Sequence, residues 1–195
     1  MLAKTTRIIK KIAIFGDAQA KNTEEHFLLA YQVSRLLALE GYVIVNGGGP
    51  GVMLAATLGG AGVEGSIEEA VVIDNKIEMG KNYEGQFEQN MDKIDVVITE
   101  ENYPERLQRL ISEADAFVVL RGGTGTISEF GEVWVQAKFD FGKHKPIVLL
   151  GKFWQEILEV LEKNLALDKE EMSVVGVVEK PEEVLATLKI LNKTG

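Results

Sequence analysis

The chain has 195 residues, 46% of them hydrophobic and 26% charged, the balance of an ordinary soluble globular domain. That length buries roughly 70% of the unfolded surface without staples or metals, and the absence of cysteine excludes thiol catalysis, Cys-ligated zinc and iron–sulfur clusters. A net charge of −9 argues against a broad nucleic-acid or anionic-membrane surface, so any bound phosphate must be held by a local device working against the overall field.

The N-terminal stretch is basic, but its apolar part is short and no small-residue cleavage site follows, so it reads as a first strand rather than a signal peptide. No apolar run approaches the ~20 residues of a membrane span; the expectation is a soluble, cytoplasmic protein. Candidate strands are Ile12–Phe15, Tyr42–Val45, Ala70–Ile73, Ile94–Ile98, Ala116–Leu120, Pro146–Leu150 and Val174–Val178. Each is a near-continuous apolar run, as in parallel strands covered on both faces. Between the first two, Phe27, Ala30, Val33 and Leu37 recur at helical spacing over Thr23–Glu40, with Asn22 or Thr23 as cap and Gly41 as stop. Further helices are expected at Gly51–Gly59, Tyr103–Ala114, Thr126–Lys138, Phe153–Leu165 and Pro181–Leu191. The alternation predicts an α/β fold, a single Rossmann-like doubly wound domain over residues 1–195 with a mostly parallel sheet of about seven strands. Asp74–Lys93 lacks periodicity and reads either as a solvated excursion or as a substrate lid.

Two glycine-rich segments fall where an α/β sheet binds ligands, after a strand and opening a helix. One is Val45-Asn46-Gly47-Gly48-Gly49-Pro50-Gly51-Val52-Met53; the other is Leu120-Arg121-Gly122-Gly123-Thr124-Gly125-Thr126-Ile127-Ser128-Glu129. Glycine lets the backbone approach a ligand closely, and the free N–H groups of the following helix favour an anion. Neither segment is a Walker loop and neither has dinucleotide spacing, which disfavours NAD.

The second segment resembles the P-G-G-x-G-T-x-x-E signature of the LOG ("lonely guy") family of phosphoribohydrolases, long mislabelled as lysine decarboxylases, with Gly122, Gly123, Gly125, Thr126 and Glu129 in register. Glu105-Arg106 through Ala114-Asp115-Ala116-Phe117 resembles the family's approach to that loop. The first segment resembles the G-G-G-P-G-x-M form of the wider superfamily, which includes molybdenum-cofactor carriers. Three positions depart: Arg121 replaces proline, Leu54 replaces a common glutamate, and Gly16-Asp17 replaces Gly-Ser. A carboxylate at Asp17 repels a phosphate unless it points away or meets a ribose hydroxyl.

The resemblance implies cleavage of the N-glycosidic bond of a purine nucleoside 5′-monophosphate to free base and ribose 5-phosphate, without a cofactor. Glu129 and Arg106 become the catalytic candidates. Arg121, Gly122, Gly123, Thr124, Gly125 and Thr126, with Gly16, Gly48, Gly49, Gly51 and Met53, become the phosphate- and nucleotide-binding set. The alternative is a non-catalytic carrier or sensor for a phosphorylated ligand.

On spacing alone Glu129 also reads as a first-turn carboxylate gaining ~0.3–1 kcal/mol from the helix dipole. Arg109 pairs with Glu113 four residues on, Glu132 reads as a solvated or dimer-face charge, and Met53 and Trp134 also read as core or interface residues. His26 and His144 are isolated and no metal site is expected. Ser128 lacks a nucleophile context. A homodimer is expected, with Ile127, Phe130, Val133, Trp134 and Ala137 giving the helix 126–138 more apolar surface than one sheet face needs. No nucleic-acid or membrane partner is expected.

Overall fold

Every apolar run foreseen as a strand pairs with its neighbours in parallel. The computed structural model describes residues 8–73 and 86–194. In chain order the elements are β1 (Lys11–Phe15), α1 (Glu25–Leu39), β2 (Val43–Asn46), α2 (Val52–Ala61), β3 (Glu68–Ile73), α3 (Gln86–Met91), β4 (Val96–Glu100) and α4 (Tyr103–Glu113). They continue with β5 (Ala116–Val119), α5 (Thr124–Phe139), β6 (Ile147–Leu150), α6 (Phe153–Asn164), α7 (Lys169–Ser173), β7 (Val175–Val178) and α8 (Pro181–Thr194). The sheet runs β4-β3-β2-β1-β5-β6-β7, and all six pairings are parallel.

Alternate residues of each central strand enter two different cores. Ile12 and Ile14 of β1 pack with α1, α2 and α8, whereas Ala13 and Phe15 pack with α4, α5 and α6. Both faces are therefore apolar, which is why the strands read as unbroken runs. The two-sided cover fails at the edge, where Val96 and Val97 of β4 are 41% and 47% exposed. From β1 the chain builds outward to β4, then α4 carries it back to place β5 on the other side of β1. Connections leave the carboxyl ends of β1 and β5 in opposite directions, and a crevice opens there.

Some boundaries differ from those expected. β3 begins with Glu68 and Glu69, both buried, so two carboxylates hide the start of a strand from an apolar pattern. Glu69 is held by the Lys11 ammonium at 2.7 Å. Glu68 packs beneath Gly60 of α2, and burial, with repulsion from Asp95, pushes its carboxyl up to about 8. Neither Asn22 nor Thr23 caps α1. Its N-cap position is Glu24, whose carboxylate instead accepts the Lys21 N–H at 2.7 Å. Gly41 ends the helix with φ 83°, as a glycine stop requires. α7 was not anticipated; five residues are too few for periodicity, although Asp168 and Glu171 form a reciprocal capping box. Of the 74–93 segment, 74–85 lies outside the described residues, and 86–91 is helical.

Candidate functional site

A cavity of about 430 Å³ occupies the crevice at the carboxyl ends of β1 and β5. Its base is the end of β1 with the following loop, Phe15 to Gln19. One wall is the start of α5, Gly123 to Thr126 and Glu129; the other is Gly47 and Met53, with Tyr103 and Arg106 reaching in from α4.

α5 begins at Thr124, two residues earlier than its pattern suggested, because Gly123 takes an extended N-cap conformation and accepts the Ile127 N–H. Thr124, Gly125 and Thr126 thus form the first turn, whose N–H groups have no intrahelical partner. No side chain caps this end and its first turn holds no acid. Such an end is suited to an anion. A Cβ at Gly123 or Gly125 would meet nothing within 4 Å, so the loop's outer surface is open.

Glu129 lies in the second turn rather than the first, where the dipole has largely decayed. Burial dominates instead and pushes its carboxyl up to about 7, with Arg106 pulling it back. Arg106 is itself buried. Its Nε donates to the Val71 carbonyl at 2.9 Å and its Nη2 to the Gly47 carbonyl at 3.0 Å, with Met53 Sδ 3.8 Å away. Burial lowers its proton affinity and Glu129 offsets part of that loss. The guanidinium is fastened to β3 and to the residue that follows β2, and among the described residues these contacts use at most three of its five donors. Gly47 has no side chain because the guanidinium occupies that space.

The two glycine segments divide. Of the residues expected to bind a ligand, Gly16, Met53, Gly123, Thr124, Gly125 and Thr126 line the cavity together with Arg106 and Glu129. Gly48, Gly49 and Gly51 stand behind it. The Gly48 N–H donates to Asn46 Oδ1 at 2.8 Å, and the Gly49 carbonyl accepts from Asn90 Nδ2 at 2.6 Å. Gly51, at φ 65°, lies against the backbone of Asp17 and Ala18, where no side chain fits. Gly122 packs on Thr126, and Arg121 lines a separate cavity of about 310 Å³ with Phe153 and Trp154.

Asp17, Gln19 and Tyr103 also line the main cavity. The Tyr103 hydroxyl is buried without a partner among the described residues. Asp17 is the junction of three loops. Its N–H donates to the Arg121 carbonyl at 2.9 Å, and its carbonyl accepts the Val52 N–H at 2.8 Å. Its carboxylate accepts the Gln19 N–H at 2.9 Å and faces His26 Nε2 at 3.4 Å. His26 is therefore not isolated: Asp17 and Glu24 both adjoin it. The signal for Asp17 was positional, since it follows β1 at the same strand end that singled out the glycine loops. Tyr103 carried none beyond starting the Glu105-Arg106 helix.

Among the described residues no group of three or more His, Asp or Glu is arranged to hold a metal, and no helix is long and apolar enough to cross a membrane. Glu132 lies outside the cavity and accepts from Gln108 and Gln136. The Arg109–Glu113 pair forms at 3.0 Å. The apolar excess expected on α5 is not carried by the residues first named. Phe130, Val133 and Ala137 are consumed by the second core, and Trp134 stacks on Phe130 and donates to the Glu171 carbonyl. The exposed apolar positions are Ile127, Val135 and Phe139, eight and then four residues apart and so on one face of the helix.

The family model described as "Possible lysine decarboxylase" matches residues 52–188. An uncharacterized protein of Archaeoglobus fulgidus is 26% identical over 143 residues, 73% of this chain and 85% of that protein. The solved molybdenum cofactor binding protein from the phototrophic bacterium Rippkaea orientalis superposes with TM-score 0.65 at 26% identity, covering 94% of this chain and 98% of that one. The molybdenum cofactor carrier protein of Chlamydomonas reinhardtii superposes with TM-score 0.66 at 20% identity, over 94% and 98% of the two chains.

Proposed function

The chain belongs to the family described as possible lysine decarboxylase, the LOG-like family, and from that premise we propose that it hydrolyses the N-glycosidic bond of a nucleoside 5′-monophosphate. The observation that carries this reading is Glu129 and Arg106 lining one cavity beside the open first turn of α5. A decarboxylase of the pyridoxal type needs a lysine amine to hold its cofactor as a Schiff base. No lysine lines this cavity among the described residues, which favours the glycosidic reading over that one.

In the proposed reaction the 5′-phosphate sits on the Gly123–Thr126 N–H groups, which positions the sugar in the crevice. The C1′–N bond breaks with its electrons going to the base, positive charge develops on the ribose ring, and water adds its hydroxyl to C1′ while the base takes up a proton. Ionised Glu129 stabilises the ring charge and orients the water. Arg106, locked by two carbonyls, binds the substrate's anionic side. The products are free base and ribose 5-phosphate. We place this activity in a cytoplasmic homodimer, with Ile127, Val135 and Phe139 as the apolar stripe for the partner helix.

A second reading is a carrier that binds a phosphorylated ligand without turnover. It is favoured by the likeness to proteins described as binding or carrying the molybdenum cofactor. Incubation of the purified chain with AMP, with chromatography of released base, separates the two. Release that rises with enzyme concentration supports the hydrolase; tight AMP binding with no release supports the carrier.

A further inference from the structure

We infer that the Asp17 carboxylate is the cavity's sugar-recognition group, accepting hydrogen bonds from two adjacent hydroxyls of a phosphorylated ribose. This rests on the reading of Gly123–Thr126 as the phosphate site and adds to it the part of the ligand that sets specificity.

Three observations lead to it. First, Asp17 lines the cavity, and its side chain is a third exposed. Second, its backbone is tied to both glycine segments, through the Arg121 carbonyl and the Val52 N–H, so the point from which the carboxylate projects is fixed relative to both loops. Third, its carboxylate is oriented by the Gln19 N–H and by His26, whose other carboxylate neighbour is Glu24.

A carboxylate has about four lone-pair sites. Among the described residues the Gln19 N–H takes one on Oδ1 and His26 adjoins one on Oδ2, which leaves one on each oxygen. Two acceptor sites on adjacent oxygens match the two donors of a vicinal diol. A bare phosphate gains nothing there and is repelled by the charge. Asp17 therefore selects ligands that bring hydroxyls along with the phosphate, and selects against inorganic phosphate.

The test is calorimetric titration of the full chain with ribose 5-phosphate, 2-deoxyribose 5-phosphate and inorganic phosphate, repeated on Asp17→Asn and Asp17→Ser. The parent should bind the ribose compound about ten- to hundredfold more tightly than the deoxy compound, as expected for a hydrogen bond to a charged group. Both variants should lose most of that ratio and bind inorganic phosphate as well as or better than the parent. An unchanged ratio in folded Asp17→Asn and Asp17→Ser proteins, with or without lower thermal stability, overturns the inference and leaves Asp17 only as a fastener for α1. A parent chain that binds none of the three compounds overturns the phosphate-site reading and this inference together.

Discussion

The two glycine-rich segments occupy equivalent places, each following a parallel strand and opening a helix, yet they do different work. In the first, the polar groups are used up inside the protein. Asn46 donates to Thr57 and accepts the Gly48 N–H, the Gly49 carbonyl takes Asn90, and Val52 donates to Asp17. Side chains are excluded at Gly48 and Gly51 by Val72 and by the Asp17–Ala18 backbone. In the second, Thr124 and Gly125 are exposed in the first turn of α5, and added Cβ atoms at Gly123 and Gly125 meet nothing. Glycine marks a close approach of the backbone in both cases. The partner is protein in one and open crevice in the other.

The largest effect should come from the second region. Glu129→Gln should lower base release by about 10²–10⁴-fold while nucleotide binding persists, since in the proposed reaction the carboxylate acts on charge that develops only in the transition state. Chromatography with parallel titration measures both. Hydrolysis at the parent rate by a folded Glu129→Gln protein removes Glu129 from the chemistry even if the phosphate site stands.

Paired valine substitutions test the division directly. Gly51→Val should destabilise by about 2–4 kcal/mol or prevent folding, because it combines a clash with a left-handed backbone. Gly123→Val should fold with nearly parental stability, since its φ is −95° and the space is empty. It should nonetheless weaken phosphate binding more than tenfold by obstructing the approach to the N–H groups. Chemical denaturation and calorimetry report the two quantities. Parental phosphate affinity in Gly123→Val would end the assignment of the second loop as the anion site.

The two regions should also separate in pH dependence. Glu129 must be ionised to act as proposed, and its carboxyl lies near 7. The kcat/KM for base release should fall up to about tenfold per pH unit below that value and level off above it. In Glu129→Gln the limb should vanish. A profile that instead falls above 7 would make Glu129 an acid rather than a carboxylate.

The smallest effect belongs to α2, the helix that the first segment opens. Glu68 beneath Gly60 has its carboxyl raised to about 8 from an ordinary 4.5. Its folded form holds the proton more tightly than the unfolded form does. The stability tied to that proton is fully present below about 4.5 and is lost as pH rises through about 8. Glu68→Gln should flatten this slope and raise the melting temperature at pH 9 by about 2–4 °C for each kcal/mol regained. Activity at pH 7 should change little. A melting curve for Glu68→Gln that tracks the parent at every pH would show that Glu68 does not titrate there.

Much of this was legible in one dimension. Unbroken apolar runs at Ile12–Phe15 and Ala116–Leu120 marked central parallel strands, because only strands buried on both faces can be apolar at every position. The start of β3 was hidden because Glu68 and Glu69 are polar in sequence and become acceptable in the core only through protonation and Lys11. The site was legible as segments but not as a constellation. Glu129 and Thr126 sit in one run, whereas Arg106 reaches the same cavity only because α4 carries the chain back across the sheet.

What the sequence determined by itself was the alternation of strand and helix, the two glycine turns at strand ends, and the lack of any metal- or thiol-based chemistry that uses cysteine. These follow from short-range physics: hydrophobic period, backbone freedom and the functional groups present. What only the tertiary structure decided was which glycines face the open crevice and which face protein, that Asp17 joins three loops, and that the surroundings of Glu129 push its carboxyl up to about 7. Those properties depend on distance and dielectric between groups far apart in the chain, and both exist only once the sheet has closed its order around β1 and β5.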